Sequence, residues 1–199
     1  MSYVARRTEG GPVLAFTFHG TGGDETQFHD LAGQLLPGAA VVSPRGDVSE
    51  MGALRFFRRT GEGVYDMDDL AQRTDAMAAF LSEERRKAAA VRVIGLGYSN
   101  GANILAAVAM QTPEIVDDLV LLHPLIPWDP EPQPGLAGRR VLITAGRRDP
   151  ICPAPMTDRL ATWFREQGAD VTLVWHPGGH EIARAEIDAI QTFLAPVSA

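Results

Sequence analysis

Short, nearly continuous apolar runs alternate along the chain with segments of helical periodicity, and no other feature narrows the choice of fold so far. Val13 to Phe18, Val41-Val42, Val91 to Leu96, Leu119 to Leu122, Val141 to Ala145 and Val171 to Trp175 are β-prone, and Tyr3 to Arg7 adds an edge-strand candidate. Runs without a polar face belong to strands covered on both sides, the mark of a parallel sheet between helix layers. Helical spacing covers Asp68 to Ala88, with Leu70, Met77, Phe80 and Leu81 on one side and Asp66, Asp68 and Asp69 at the start, where carboxylates complement the helix dipole. Ala102 to Met110 is apolar nearly all round, which predicts a buried helix. Pro155 to Gln167 ends at Gly168, and Ala183, Ile187, Ile190 and Leu194 form a last amphipathic stripe. The pattern predicts an α/β fold. Its mostly parallel central sheet has about six or seven strands, helices cover both faces, and one domain spans residues 1–199.

Composition removes several classes of function. A formal net charge of −7 opposes nucleic-acid binding, which calls for a basic face. No apolar run is long enough for a membrane span, and Met1 to Gly10 lacks the apolar stretch of a signal peptide. The single cysteine, Cys152, excludes an internal disulfide and suits a reducing compartment, so the cytoplasm is the expected location. A homodimer stays open, since periodicity identifies no surface patch.

The chemistry centres on Gly97-Tyr98-Ser99-Asn100-Gly101, directly after an apolar run and before a helix. A sharp strand-to-helix turn of this kind lifts a serine hydroxyl above the sheet edge beside free backbone N–H groups. Serine is a weak nucleophile without a base, and the usual base is a histidine oriented by a carboxylate. His180, in Pro177-Gly178-Gly179-His180 after the strand Val171 to Trp175, is the expected base. His123 falls too early in the chain, leaving no acid on a matching strand end between it and Ser99, and His176 reads as a strand-end histidine. The spacing His176-x-x-x-His180 has the look of a helical metal pair, but Pro177-Gly178-Gly179 is no helix interior, so no metal is expected. Asp149, after the strand Val141 to Ala145, is the expected acid, with Asp129 as rival; Asp170 opens a strand at the wrong end of the sheet. The developing oxyanion needs donors. Asn100 N–H supplies one, and Thr21 N–H the other, from the glycine-rich loop His19-Gly20-Thr21-Gly22-Gly23. That loop lacks the Lys-Ser/Thr ending of a P-loop and the G-x-G-x-x-G dinucleotide spacing, so no nucleotide cofactor is expected.

These motifs, in this order, resemble the α/β-hydrolase superfamily. Ser43-Pro44-Arg45-Gly46, Arg55-Phe56-Phe57-Arg58-Arg59 and Glu62-Gly63-Val64-Tyr65-Asp66 resemble more specifically bacterial enzymes of the phospholipase/carboxylesterase family, in the branch that includes hydroquinone-associated hydrolases. The resemblance implies a Ser-Asp-His esterase with no cofactor and no large cap domain. Acyl-protein thioesterases of that family carry a different segment where Arg55 to Arg59 stands, which argues against protein depalmitoylation. Related dienelactone hydrolases use a cysteine, whereas the elbow here holds serine and Cys152 reads as packing, so a dienelactone hydrolase assignment is not expected.

Two segments resist the strand-helix alternation, Ser43 to Val64 and the proline-rich His123 to Gly138. Both leave strand ends, where open α/β folds bind ligands. Phe56, Phe57, Ile126 and Trp128 are therefore candidates to line an apolar pocket, with loop residues tucked into the core as the competing reading. His19, Gly20 and Tyr98, flanking the loop and the serine, complete the candidate substrate contacts. Arg45, Arg55, Arg58 and Arg59 read either as an attractor for an anionic substrate or as partners of Glu50, Glu62 and Asp66 in structural ion pairs. The expected substrate is a small or short-chain carboxylic ester. A thioesterase or lysophospholipase on the same residues, and a non-catalytic ligand-binding module, are the alternatives.

Overall fold

The computed structural model describes residues 3–195. In chain order the elements are β1 (Ala5–Thr8), β2 (Val13–Phe18), α1 (His29–Leu35), β3 (Ala40–Pro44), β4 (Val48–Glu50), β5 (Ala53–Arg55), β6 (Arg59–Gly61) and β7 (Val64–Tyr65). Then follow α2 (Met67–Ala88), β8 (Arg92–Tyr98), α3 (Asn100–Gln111), β9 (Asp118–Leu122), a short 3-10 turn (Pro134–Leu136), β10 (Arg140–Gly146), α4 (Ala154–Glu166), β11 (Asp170–His176) and α5 (Arg184–Leu194). Seven strands form one sheet in the order β1-β3-β2-β8-β9-β10-β11, parallel throughout except for the antiparallel edge strand β1. No helix among the described residues is long and apolar enough to cross a membrane.

The strand pleat sorts the apolar residues onto two faces. Leu14, Phe16, Phe18, Val93, Leu119, Leu121, Val141 and Ile143 join the layer of α2, α3 and α4. Ile94, Leu96, Val120, Leu122 and Leu142 pack with Phe28 before α1 and with Ile190, Phe193 and Leu194 of α5. Central strands covered on both sides account for the near-absence of polar residues in those runs. Parallel pairing brings Phe18 opposite Gly97, Tyr98 opposite Leu122, and Gly146 opposite His176. The loops after β2, β8, β9, β10 and β11 therefore leave one edge of the sheet together.

The glycines of the elbow are needed for clearance. A Cβ on Gly97 would stand 2.6 Å from the Gly101 carbonyl oxygen, and one on Gly101 would collide with the carbonyls of Phe18 and His19. Only glycine lets the first turn of α3 sit directly over β2 and β8. Gly101→Ala must push α3 off the sheet, and we predict a loss of about 3 kcal/mol. A urea midpoint equal to wild type would refute this.

Two departures from the sequence reading stand out. The segment between β3 and α2 forms two miniature ladders, β4 with β5 and β6 with β7. Phe56 and Phe57, between those ladders, are fully buried in the main core. The helix α1 escaped the periodicity search because it is seven residues long and presents His29 and Ala32 inward. His29 lies there to meet the Ser43 hydroxyl through Nδ1 at 2.7 Å and the Thr8 hydroxyl through Nε2 at 2.9 Å.

Candidate active site

Ser99 stands between β8 and α3 with φ +52 and ψ −117. A non-glycine residue in that region carries strain on the order of 1–3 kcal/mol and persists only where its surroundings hold it. Its N–H donates to Leu122 O at 2.9 Å, and its carbonyl accepts Asn103 N–H at 3.0 Å. The Ser99 side chain makes no capping bond to α3, so Oγ is free to face outward. It lies 2.9 Å from His180 Nε2, and His180 Nδ1 lies 2.7 Å from Asp149 Oδ2. The structure thus brings together Ser99 and two residues 50 and 81 positions beyond it, all from loops at the same sheet edge.

Asp149 is held by its own loop. Oδ1 accepts the N–H groups of Ile151 at 2.8 Å and Cys152 at 2.9 Å. Burial favours the neutral acid, but the bonds from Cys152, His180, His123 and Ile151 outweigh it and keep the carboxyl below its ordinary range. The loops of Asp149 and His180 are laced together: Arg147 N–H donates to His176 O, Arg148 N–H to Gly178 O, and Gly146 leaves no room for a Cβ against Gly179. Tyr98 supports the histidine, since its ring packs 5.3 Å from the His180 ring and its hydroxyl donates to His180 O at 2.7 Å.

The glycine-rich loop follows β2. The N–H groups of Gly20, Gly22 and Gly23 are engaged by Gln27 Oε1, Leu54 O and Gly20 O, which leaves Thr21 as the loop's free N–H donor among the described residues. Asn100 N–H belongs to the first turn of α3, where no intrahelical acceptor exists. The Asn100 side chain accepts Phe56 N–H at 2.7 Å and ties the small ladders to the elbow.

A cleft of ≈ 290 Å³ opens in front of Ser99, lined among others by Thr21, Arg55, Arg59, Tyr65, Asn103 and His180. Of the candidate substrate contacts only Tyr98 lies on its wall. Phe56, Phe57 and Ile126 are core residues. Trp128 faces grooves beside α2 and α4, because its loop turns down over α3 instead of rising above Ser99. His19 and Gly20 lie beneath the loop: His19 Nε2 accepts Gly46 N–H at 2.9 Å, and Gly20 abuts the Tyr98 ring.

Periodicity gave no sign of the polar wall. Tyr65 hydroxyl donates to Leu125 O at 2.9 Å and accepts from Asn103 Nδ2 at 2.8 Å. The four arginines are all in ion pairs, Arg45 with Glu25 at 3.5 Å, Arg58 with Asp69 at 3.2 Å, and both Arg55 and Arg59 with Glu50 at 3.3 and 3.0 Å. Asp129, the rival acid, is exposed and paired with Arg159 at 3.2 Å.

Among the described residues, two groups of ligand-type side chains have atoms within 4.8 Å of one another, His123 with Asp149 and His180, and His123 with His176 and Glu186. The first is engaged in the hydrogen bonds just described. In the second, His176 Nδ1 accepts Gly178 N–H at 3.1 Å, so the proton sits on Nε2, where a metal would need a lone pair. Cys152 is buried, its thiol is raised by that burial, and its Sγ donates to His123 O at 3.2 Å, which makes it packing and not a nucleophile.

Comparison with known proteins agrees with this architecture. The dienelactone hydrolase family matches residues 53–189. MhqD of Bacillus subtilis (strain 168), a hydrolase by name, is 37% identical over 172 residues, which cover 85% of this chain and 86% of MhqD. The structure of Atu2452, a protein of unknown function from Agrobacterium tumefaciens str. C58, is similar with a TM-score of 0.92 and 55% identity, over 97% of this chain and 96% of that one. The Bacillus cereus carboxylesterase gives a TM-score of 0.88 at 34% identity, over 96% of this chain and 93% of its own. The family match corrects the expectation drawn from the serine at the elbow. The likeness extends over the sheet, helices and loops from β5 into α5, and the residue type at one position does not remove the chain from it. The chain belongs to the dienelactone hydrolase family of the α/β-hydrolase superfamily, and it is a hydrolase.

Proposed function

We propose that the protein is a serine esterase that hydrolyses small carboxylic esters through an acyl-enzyme on Ser99. The observation that carries this reading is the unbroken chain from Ser99 Oγ through both nitrogens of His180 to Asp149. Ser99 Oγ attacks the ester carbonyl carbon while His180 Nε2 takes its proton. The tetrahedral oxyanion lies against the N–H groups of Thr21 and Asn100. As it collapses, the alcohol leaves with the proton from His180. Water then gives a proton to His180 and attacks the acyl carbon, and the acid departs as Ser99 regains its hydroxyl. Asp149 stays ionised throughout and stabilises the imidazolium.

The carboxylesterase of Bacillus cereus supports the choice of an oxygen ester. The size of the cleft supports a short acyl group. Its wall carries Thr21, Arg55, Arg59, Glu62 and Asn103 beside Tyr65, Tyr98, Leu125 and Ile151, and Phe56, Phe57 and Trp128 lie elsewhere. A fluorophosphonate probe tests the reading directly. Mass spectrometry of the digested adduct is expected to place the label on Ser99; an active protein that stays unlabelled there would overturn it. Across a series of p-nitrophenyl esters, kcat/KM is expected to peak at acetate or butyrate, and a peak at long acyl chains would remove the short-chain assignment.

A further inference from the structure

Behind Asp149 the hydrogen bonding continues into the core. Asp149 Oδ2 meets a second imidazole, His123 Nδ1, at 2.8 Å. A carboxylate only accepts, so Nδ1 carries a proton. The far nitrogen, His123 Nε2, lies 3.1 Å from Glu186 Oε1. Glu186, on α5, also accepts the Thr144 hydroxyl and the Ala183 N–H, and faces the protonated Nε2 of His176 at 3.3 Å. The His123 and Glu186 side chains have no exposed surface. The contact has ion-pair distance without hydrogen-bond geometry, and since a bare Nε2 would set a lone pair against a buried carboxylate, the site favours a proton on both ring nitrogens, an imidazolium between two anions. Burial works against that charge, yet the two carboxylates, Glu186 and Asp149, outweigh it and hold the His123 pKa above the ordinary imidazole value. The backbone is consistent with a residue held for its side chain: His123 has φ +50, and its N–H donates to Thr144 O at 2.8 Å.

We propose that His123 and Glu186 are positioning residues that fix the triad from behind, coupling the orientation of Asp149, and through it His180, to the packing of α5. The inference rests on the serine-esterase reading above. It carries a pH signature. Below the ordinary imidazole range the couple is complete. As the pH rises through the raised folded value, Nε2 loses its proton, its lone pair meets Glu186, and the grip on Asp149 loosens. Besides Asp149 and Glu186, the titratable groups that face His123 are Tyr98 from β8, Cys152 before α4, His176 from β11 and His180. Burial pushes Tyr98 up to about 12 and raises Cys152, so both stay neutral while His123 titrates. The expected result is a fall in kcat on the alkaline side with KM unchanged.

The test measures kcat and KM on p-nitrophenyl butyrate across pH for the full chain and three variants. H123L removes the donor, and kcat is expected to drop on the order of 10- to 100-fold with KM little moved. H123N keeps an N–H for Asp149 and suits the left-handed backbone, so most of that loss is recovered. E186Q can donate its amide to a neutral His123 Nε2, with the Thr144 hydroxyl turned to accept from the same NH₂, while its oxygen still accepts from Ala183 and faces His176, so the alkaline fall is expected to vanish. A folded H123L with wild-type kcat, or an E186Q profile that keeps the alkaline fall, overturns the proposal. If circular dichroism shows H123L unfolded, the E186Q profile decides. A wild-type protein that neither turns over esters nor takes the fluorophosphonate at Ser99 overturns the serine-esterase reading instead, before any variant is made.

Discussion

Ser99→Ala is expected to lower kcat for p-nitrophenyl butyrate by a factor on the order of 10⁶ while leaving the protein folded. The proposed step has no substitute for the serine oxygen. Cys152 lies on the cleft wall but is buried, with a thiol raised by burial and Sγ turned to His123 O, and the Thr21 hydroxyl already accepts from Arg55 at 2.8 Å. The fold is expected to tolerate the change for local reasons. The Ser99 side chain caps nothing in α3, and alanine takes on the same left-handed backbone that serine already occupies. A residual rate above that of water is expected, because the two N–H donors remain. Undiminished turnover by the purified variant would sink the acyl-enzyme reading, whereas a lost signal in circular dichroism would mean that the elbow depends on the hydroxyl for its shape.

Asp149→Asn comes next in size, with a fall in kcat on the order of 10⁴. Asp149 is surrounded by four donors, two backbone N–H groups on Oδ1 and two imidazoles on Oδ2. Any orientation of an amide there points an NH₂ at donors. If it faces His180, the imidazole is driven to the tautomer with its proton on Nε2, and that nitrogen can no longer accept from Ser99. If it faces the loop, the N–H groups of Ile151 and Cys152 lose their acceptor in a buried site, which costs about 1–3 kcal/mol each. Stability therefore falls along with rate. Because the folded carboxyl is held below its ordinary range, it stabilises the protein above that range, and the contribution drains away as the pH drops through the lowered value. D149N is expected to flatten that acid-side loss. Urea midpoints through the acid range read the difference, and parallel curves for variant and wild type would contradict it.

Much of this is legible in the sequence. Val13 to Phe18 is β2, and the apolar runs of β8 to β11 match their strands to within one or two residues at each end. Ser99, Asp149 and His180 each follow such a run, and parallel strands deliver their trailing loops to one edge. The pocket aromatics were misplaced for a physical reason. A phenylalanine pair in a glycine- and arginine-rich segment looks the same whether it lines a rim or plugs a core. What settles it is Gly46, which lets the backbone at Arg55 and Phe56 close in, and the Asn100 side chain, which captures Phe56 N–H. The His123–Glu186 contact joins positions 63 apart with no spacing rule between them. One signal was available: Glu186 stands in helical register with Ala183, Ile190 and Phe193, and a carboxylate on the buried stripe of an amphipathic helix needs a partner inside.

The sheet order carries a consequence for the newly made chain. Ser99 and the loop that would hold the oxyanion are adjacent through β2 and β8, both in the first half of the sequence. The base hangs from β11, which is the outermost strand on the far side and the last of the sheet to be synthesised. The proposed proton path from Ser99 to His180 is therefore complete only once β11, the last strand made, has added to the margin of the sheet.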